Sequence, residues 1–353
     1  MNTKEKELFR SLSSFKSDKF DESLIQYATP EVLGHLFFNR MQGVAYGVLK
    51  QHGLLGKVNR EFRNSLKEAY EQNIMKNHSF FACISYLNRV LSDCTGKYAM
   101  LKGAWLCGKY PDGYRTSNDI DLLVLPESVT EIGNELIKAG FRQGNTRNGE
   151  FVPATRQEII ESKMMRGETV PYIKKMNFTG MKYLEVDINF SLDYKNNETD
   201  ALDNMIGKAH IRDGVMTLDK SDFFIHLCGH LYKEATTLPW IEMMRDMTLY
   251  KYCDIYMLLD DLTESETNAM FIRAKELEMD KICAFAILQT MALFEVGNVA
   301  AANEALNVLK NDGEFLHRVI SPKDKKNYVY KEKNIVSRFF ADRRKDLIEE
   351  DEK

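Results

Sequence analysis

The spacing of apolar positions changes twice along the chain. Through the first ninety or so residues they recur at helical intervals. "ATPEVLGHLFFNRMQGVAYGVLKQHG" has Thr29 placed as an N-cap, Pro30 at the first helical position and Gly53 as a stop, which predicts a helix between them. "VNREFRNSLKEAYEQNIMKNHSFFACISYLNRVLSDC" continues at the same spacing. Then the period shortens. "YAML", Tyr98 to Leu101, and "IDLLVL" are short apolar runs that predict buried strands, and a helix between Ser128 and Ala139 should end at Gly140. "MKYLEVDINFSL", Met181 to Leu192, alternates with period two: Leu184, Val186, Ile188 and Phe190 on one face, Glu185, Asp187 and Asn189 on the other. From Ser221 the spacing is helical again, through "DFFIHLCGHLYKEA", "RDMTLYKYCDIYMLLDDL" and "DKICAFAILQTMALFEVG", and Pro322 to Lys353 is mostly charged. The order predicts an N-terminal helical region (1–75), an α/β (α+β) core with a mixed sheet (76–195) and a C-terminal helical domain (196–353).

Composition narrows the class without choosing a function. The 353 residues are 44% apolar and 28% charged, ordinary for a soluble globular protein. Asp plus Glu outnumber Lys plus Arg by 52 to 48, which does not favour a dedicated nucleic-acid binder but leaves room for a local patch. No apolar run approaches the ~18 residues of a membrane span. "MNTKEKELFRSL" lacks the apolar stretch of a signal peptide, and six scattered cysteines read as reduced core thiols, so a cytoplasmic location without membrane attachment is expected.

The chemistry concentrates in "YRTSNDIDLLVL", Tyr114 to Leu125. Asp119 and Asp121 stand at i and i+2 of a strand, so both carboxylates point to one side while Ile120 and Leu122 point to the core. Adjacent carboxylates repel unless a cation lies between them. Asp187, on another strand, has the same polar-face placement. Three such acids suit a hard, oxygen-seeking cation: Mg²⁺, or Mn²⁺ in its place. Two such ions about 4 Å apart would stabilise the attacking and leaving oxygens of a phosphoryl or nucleotidyl displacement. A D-x-D at a strand start is, alone, more often a solvated turn. Here "LKGAWL" precedes it, with Lys102 and Gly103, and the loop between carries Arg115 and Ser117. Glycine lets backbone N–H groups approach a phosphate, and Lys and Arg neutralise it.

At these residues the chain resembles the nucleotidyltransferase superfamily of the DNA polymerase β type, and most of all its bacterial branch of uncharacterised nucleotidyltransferases. "LKGAWL", Arg115, "NDIDLLV", "LEVDINFSL" and "HLCGHLYKEA" follow in the branch's order, over most of Tyr70 to Leu259. The resemblance implies that Asp119 and Asp121 bind two Mg²⁺ ions, and that Asp187 binds the catalytic one and helps deprotonate an acceptor hydroxyl. It implies that Lys102, Gly103 and Arg115 hold the triphosphate of a nucleoside triphosphate, with Ser117 lining the same loop. The acceptor, a small molecule or protein in preference to tRNA, would attack the α-phosphate and release pyrophosphate; ATP is the default donor. Two positions depart from the pattern: Lys102-Gly103-Ala104 stands where the wider superfamily has Gly-Ser, and Asn189 stands where the branch often has a histidine.

Other features admit rival readings. His226, His230 and Glu234 form one helical stripe, which could make a helical metalloprotein with a merely structural D-x-D. A hydrogen-bonded histidine in an apolar helix is the commoner outcome. If that helix packs over the nucleotide, His230 and Lys233 would reach triphosphate or base. Arg245, Asp246 and Asp254 read as structural ion pairs, and Trp105 and Trp240 as core or interface anchors. "SPKDKKNYVYKEK" reads as a solvated segment more than a phosphate-contacting one. A catalytically retired nucleotide- or partner-binding protein on the same fold is the alternative to an enzyme, and the retained acids argue against it.

Overall fold

Where the apolar period shortens, the computed structural model builds one six-stranded sheet. The structure describes residues 1–192, 199–323 and 326–351. The strands are β1 (Tyr98–Met100), β2 (Asp119–Val124), β3 (Arg142–Arg147), β4 (Glu150–Pro153), β5 (Tyr172–Phe178) and β6 (Met181–Asn189). Their spatial order is β1-β2-β6-β5-β3-β4. The β2–β6 pair is parallel and every other neighbouring pair antiparallel, so the sheet is mixed. Alternation is clean in β6: Leu184, Val186 and Ile188 are fully buried, and Glu185, Asp187 and Asn189 only partly so. In β2 the polar face ends at Asp121, after which Leu122, Leu123 and Val124 are all fully buried. Both faces of that strand end are therefore covered, and an uninterrupted apolar run is what such a strand needs.

Contacts divide the chain into two units: Met1–Tyr70 with Phe224–Lys353, and Glu71–Phe223. The second carries the six-stranded sheet and a hairpin of β7 (His210–Arg212) and β8 (Val215–Thr217). The expected helix at 128–139 runs Val129–Lys138, and Gly140 takes φ +88° just beyond it. The expected boundary at 195/196 lies outside the described residues.

The first unit is mostly helical. Thr29 caps as expected, its hydroxyl accepting from the Val32 N–H at 3.4 Å, with Pro30 opening the helix. The predicted continuous helix to Gly53 is instead two, Pro30–Phe38 and Gln42–Gln51. Arg40 between them adopts φ +58°, which no helix continues through. The charged C-terminal stretch also differs from expectation. It forms a three-stranded antiparallel sheet, β9 (Arg318–Ile320), β10 (Asn327–Tyr330) and β11 (Ile348–Glu350), with β10 central. Val319 and Tyr330 from it are buried against Ile241. Alternation over only three or four residues, among lysines, is too short to stand out as a strand pattern. Asp324 and Lys325 of that stretch lie outside the described residues. Among the described residues no helix is long and apolar enough to cross a membrane.

Candidate active site

The parallel register of β2 and β6 sets Asp121 opposite Asp187 and Asp119 opposite Glu185. Two pairs of carboxylates therefore face each other across one pair of strands, on the polar face that the alternation predicts. The fourth acid, Glu185, was legible as a polar-face residue of β6 but gained a site role only through this register. Its carboxyl is pushed above the usual range by burial, then by the charges of Asp119 and Asp121. Asp187 is pushed well above the usual aspartate range, first by burial, then by Asp121, Glu185 and Asp119, with Lys102 opposing. This is what like charges do when crowded away from water.

Lys102 brings a cation to this face. Its Nζ donates to Asp121 Oδ1 at 3.0 Å, and both side chains are mostly shielded. Its backbone takes φ +46°, ψ −119°, a conformation ordinarily left to glycine. Such backbone costs on the order of 1–3 kcal/mol and persists where its surroundings over-determine it. The turn after β1 is fixed on both sides. Leu101 N–H donates to the Asp121 carbonyl at 2.9 Å, and a helical turn, Gly103–Leu106, starts at once. Gly103 is required by contact: a Cβ there would stand 2.5 Å from both Cβ and Oγ of Ser117. Ser117 in turn donates to Asp119 Oδ1 at 2.9 Å. So the glycine, the serine and the first acid form one packed corner.

The loop that carries Arg115 is held from outside the motif. The helix Arg60–Val90 sends Asn73 Nδ2 to the Gly113 carbonyl at 2.8 Å and Asn77 Nδ2 to the Arg115 carbonyl at 2.9 Å, and Lys76 bonds Asn118. The Arg115 guanidinium bonds the Thr116 carbonyl. Nothing in the spacing of these asparagines marks them as loop holders, because their partners are backbone atoms some forty residues away. Trp105 is an anchor as expected: it is buried, meets Phe223 edge-on at 5.0 Å, and its Nε1 donates to Asp213 at 3.1 Å.

His230 and Lys233 lie in the other unit, on the helix Lys220–Thr236. Lys233 is exposed. His230 Nε2 stands 3.6 Å from Glu234, which also pairs with Lys251, and His226 is buried. Glu234 of the stripe is thus paired with a lysine. Asp246 is a structural pair as expected, bound to Arg344.

Among the described residues no group of three or more His, Cys, Asp or Glu side chains is arranged to hold a metal ion as it stands. For the β2–β6 acids the donor set nonetheless fits a hard divalent cation: four carboxylates in register, Glu185 and Asp187 pushed up by burial and then by the neighbouring acids, and Asp121 already drawing an ammonium group to 3.0 Å.

One solved structure similar to this chain is the crystal structure of an antigenic nucleotidyltransferase-like protein from Paracoccidioides brasiliensis, 14% identical, with a TM-score of 0.33 over 52% of this chain and 77% of that one. No curated protein matches. The family model described as "Uncharacterised nucleotidyltransferase" matches residues 30–295, a span that contains both carboxylate strands and the Lys102–Ser117 corner. With most of its length under that model, the chain belongs to the uncharacterised nucleotidyltransferase family.

Proposed function

We propose that this protein is a Mg²⁺-dependent nucleotidyltransferase, moving a nucleoside monophosphate from a triphosphate to an acceptor hydroxyl and releasing pyrophosphate. The observation that carries this reading is the register placing Asp119 and Asp121 beside Glu185 and Asp187 on one polar face. Asp119, Asp121 and Asp187 would hold two Mg²⁺ ions, or Mn²⁺. Bound there, the cations would supply charge neutralisation for the attacking and leaving oxygens. The chain's own groups do the rest. Lys102, released from Asp121, Gly103, through its backbone, Arg115 and the Ser117 hydroxyl grip the triphosphate. Asp187, its proton affinity raised by burial and then by the neighbouring acids, accepts the acceptor's proton. ATP is the default donor, and the acidic balance favours a small molecule or a protein as acceptor over tRNA. The cytoplasm, where triphosphate and Mg²⁺ are abundant, is the proposed location.

One observation favours a second reading. The Lys102–Asp121 pair at 3.0 Å could serve permanently in place of metal, in a retired fold that binds a nucleotide or partner without turnover. The two readings separate in a pyrophosphate-release assay with each ribonucleoside triphosphate, run against small-molecule and protein fractions as acceptors. Metal-dependent release that Asp119→Asn abolishes supports the transferase. Full turnover in that variant would sink the metal assignment, and no release from any pairing would favour the retired fold.

A further inference from the structure

In the first unit, away from the carboxylate strands, the buried charge does not balance at Arg338. Its side chain is 3% exposed, yet its Nε and Nη2 meet no hydrogen-bond partner among the described residues. The guanidinium lies over the Tyr330 ring, 4.5 Å from the centroid. The carboxylates around it are engaged elsewhere. Asp246 offers both oxygens to Arg344 Nε at 2.9 Å and receives the Tyr330 hydroxyl at 3.3 Å. Glu332 accepts from the Asn334 N–H at 2.8 Å. Asp312 holds Lys281 at 2.7 Å and Arg318 at 2.8 Å. An ionised group buried without a counter-charge is strongly unfavourable.

The same place carries a second orphan donor. Tyr252 is fully buried and its hydroxyl also lacks a partner among the described residues. Arg338 and Tyr252 line one small cavity, with about 10 Å³ open to the centre of a water-sized sphere. The cavity sits where helices of this unit meet the C-terminal sheet, with Ala235, Phe285 and Tyr330 among its walls. Its other polar walls are committed: Thr236 Oγ1 donates to the Tyr232 carbonyl at 2.7 Å, and Gln289 Nε2 to the Leu316 carbonyl at 3.0 Å. The pKa of nearby His317 is held down to about 4, by burial first and then by the charge of Arg338, so it stays neutral and adds no second positive charge.

We propose that this cavity is a binding site for one small monovalent anion of chloride's size, held by the Arg338 guanidinium and the Tyr252 hydroxyl. The space admits a single small occupant, the orphan groups are donors, and the uncompensated charge is positive. A water molecule would satisfy the hydrogen bonds and leave the charge. The anion therefore fastens the C-terminal segment to the helices from which Tyr252 and Phe285 project.

The test is the melting temperature of the full chain at fixed sodium and ionic strength, as chloride replaces gluconate, which is too large to enter. The expected result is a saturable rise with chloride. Arg338→Met abolishes that rise. Tyr252→Phe keeps it with the midpoint shifted to about tenfold more chloride, the worth of one hydrogen bond to a charged group. An unchanged melting temperature in the wild type overturns the site, as does an equal chloride response in Arg338→Met. Should Arg338→Met not fold, the wild type and Tyr252→Phe still decide. In crystals grown with bromide, an anomalous peak beside Arg338 supports the proposal and a water there refutes it.

Discussion

At the scale of single residues, the carboxylate corner makes two predictions of opposite sign. Asp187 and Glu185 both have proton affinities raised in the folded state, by burial first and by neighbouring acids second. An acid raised in this way binds its proton more in the native than in the unfolded chain. Without metal, the contribution of these two acids to stability is therefore greatest at low pH and is lost as pH rises from the ordinary carboxylate range through the raised values. Asp187→Asn should then melt above the wild type at pH 7–8 in EDTA, with the advantage vanishing toward pH 4. Added Mg²⁺ should raise the wild-type melting temperature and leave the variant's unchanged. A wild type that is the more stable protein at neutral pH without metal would contradict the crowding. Gly103→Ala tests the same corner by size. A Cβ 2.5 Å from Ser117 forces the loop to shift, and about 1–3 kcal/mol of stability should be lost in denaturant unfolding. Gly103→Ala with Ser117→Gly should recover part of it.

Elements were legible where their signal was local. Thr29-Pro30 announced a helix start, Gly140 a helix end, and the alternation in β6 a half-buried strand, and all three are present. Gly140 at φ +88° gives that signal an energetic meaning: Gly140→Ala should lose about 1 kcal/mol, read as a shift of the urea midpoint with unchanged slope. What stayed hidden was non-local. The strands β3, β4 and β5 have no run of apolar residues on one face; β3, "RQGNTR", buries Gly144 fully and otherwise only part of its polar side chains. They are strands because β5 pairs with β6 and β3 with β5. The break at Arg40 is likewise a backbone event, at a residue type that usually continues a helix. For the site, the residue types and order in "LKG" and "DID" were readable. Glu185 and the asparagines of the helix Arg60–Val90 became visible only when register and distance brought them to the corner.

On the scale of the whole molecule, the chain's last residues are structural although their composition is that of a solvated tail. Arg344 is buried against Asp246 across 98 positions of sequence, with Nη2 at 2.8 Å, and Phe339 accepts a further bond from the same guanidinium at 3.3 Å. Removing one partner leaves a buried charge alone, so Asp246→Asn should cost about 3–5 kcal/mol and lower the melting temperature markedly. Replacing both, as Asp246→Leu with Arg344→Met, should return much of that loss. Equal destabilisation by single and double variants would mean that shape, not charge, holds the segment.

The central claim, that the β2–β6 carboxylates form a metal-dependent triphosphate site, is tested most directly by calorimetry. The wild type and Asp119→Asn/Asp121→Asn are each titrated with the four ribonucleoside triphosphates, in Mg²⁺ and then in EDTA. The account predicts binding of at least one triphosphate in Mg²⁺, its loss in EDTA, and an affinity at least about tenfold weaker in the variant. Binding that is as tight in EDTA and in the variant, or no binding under any condition, would contradict it.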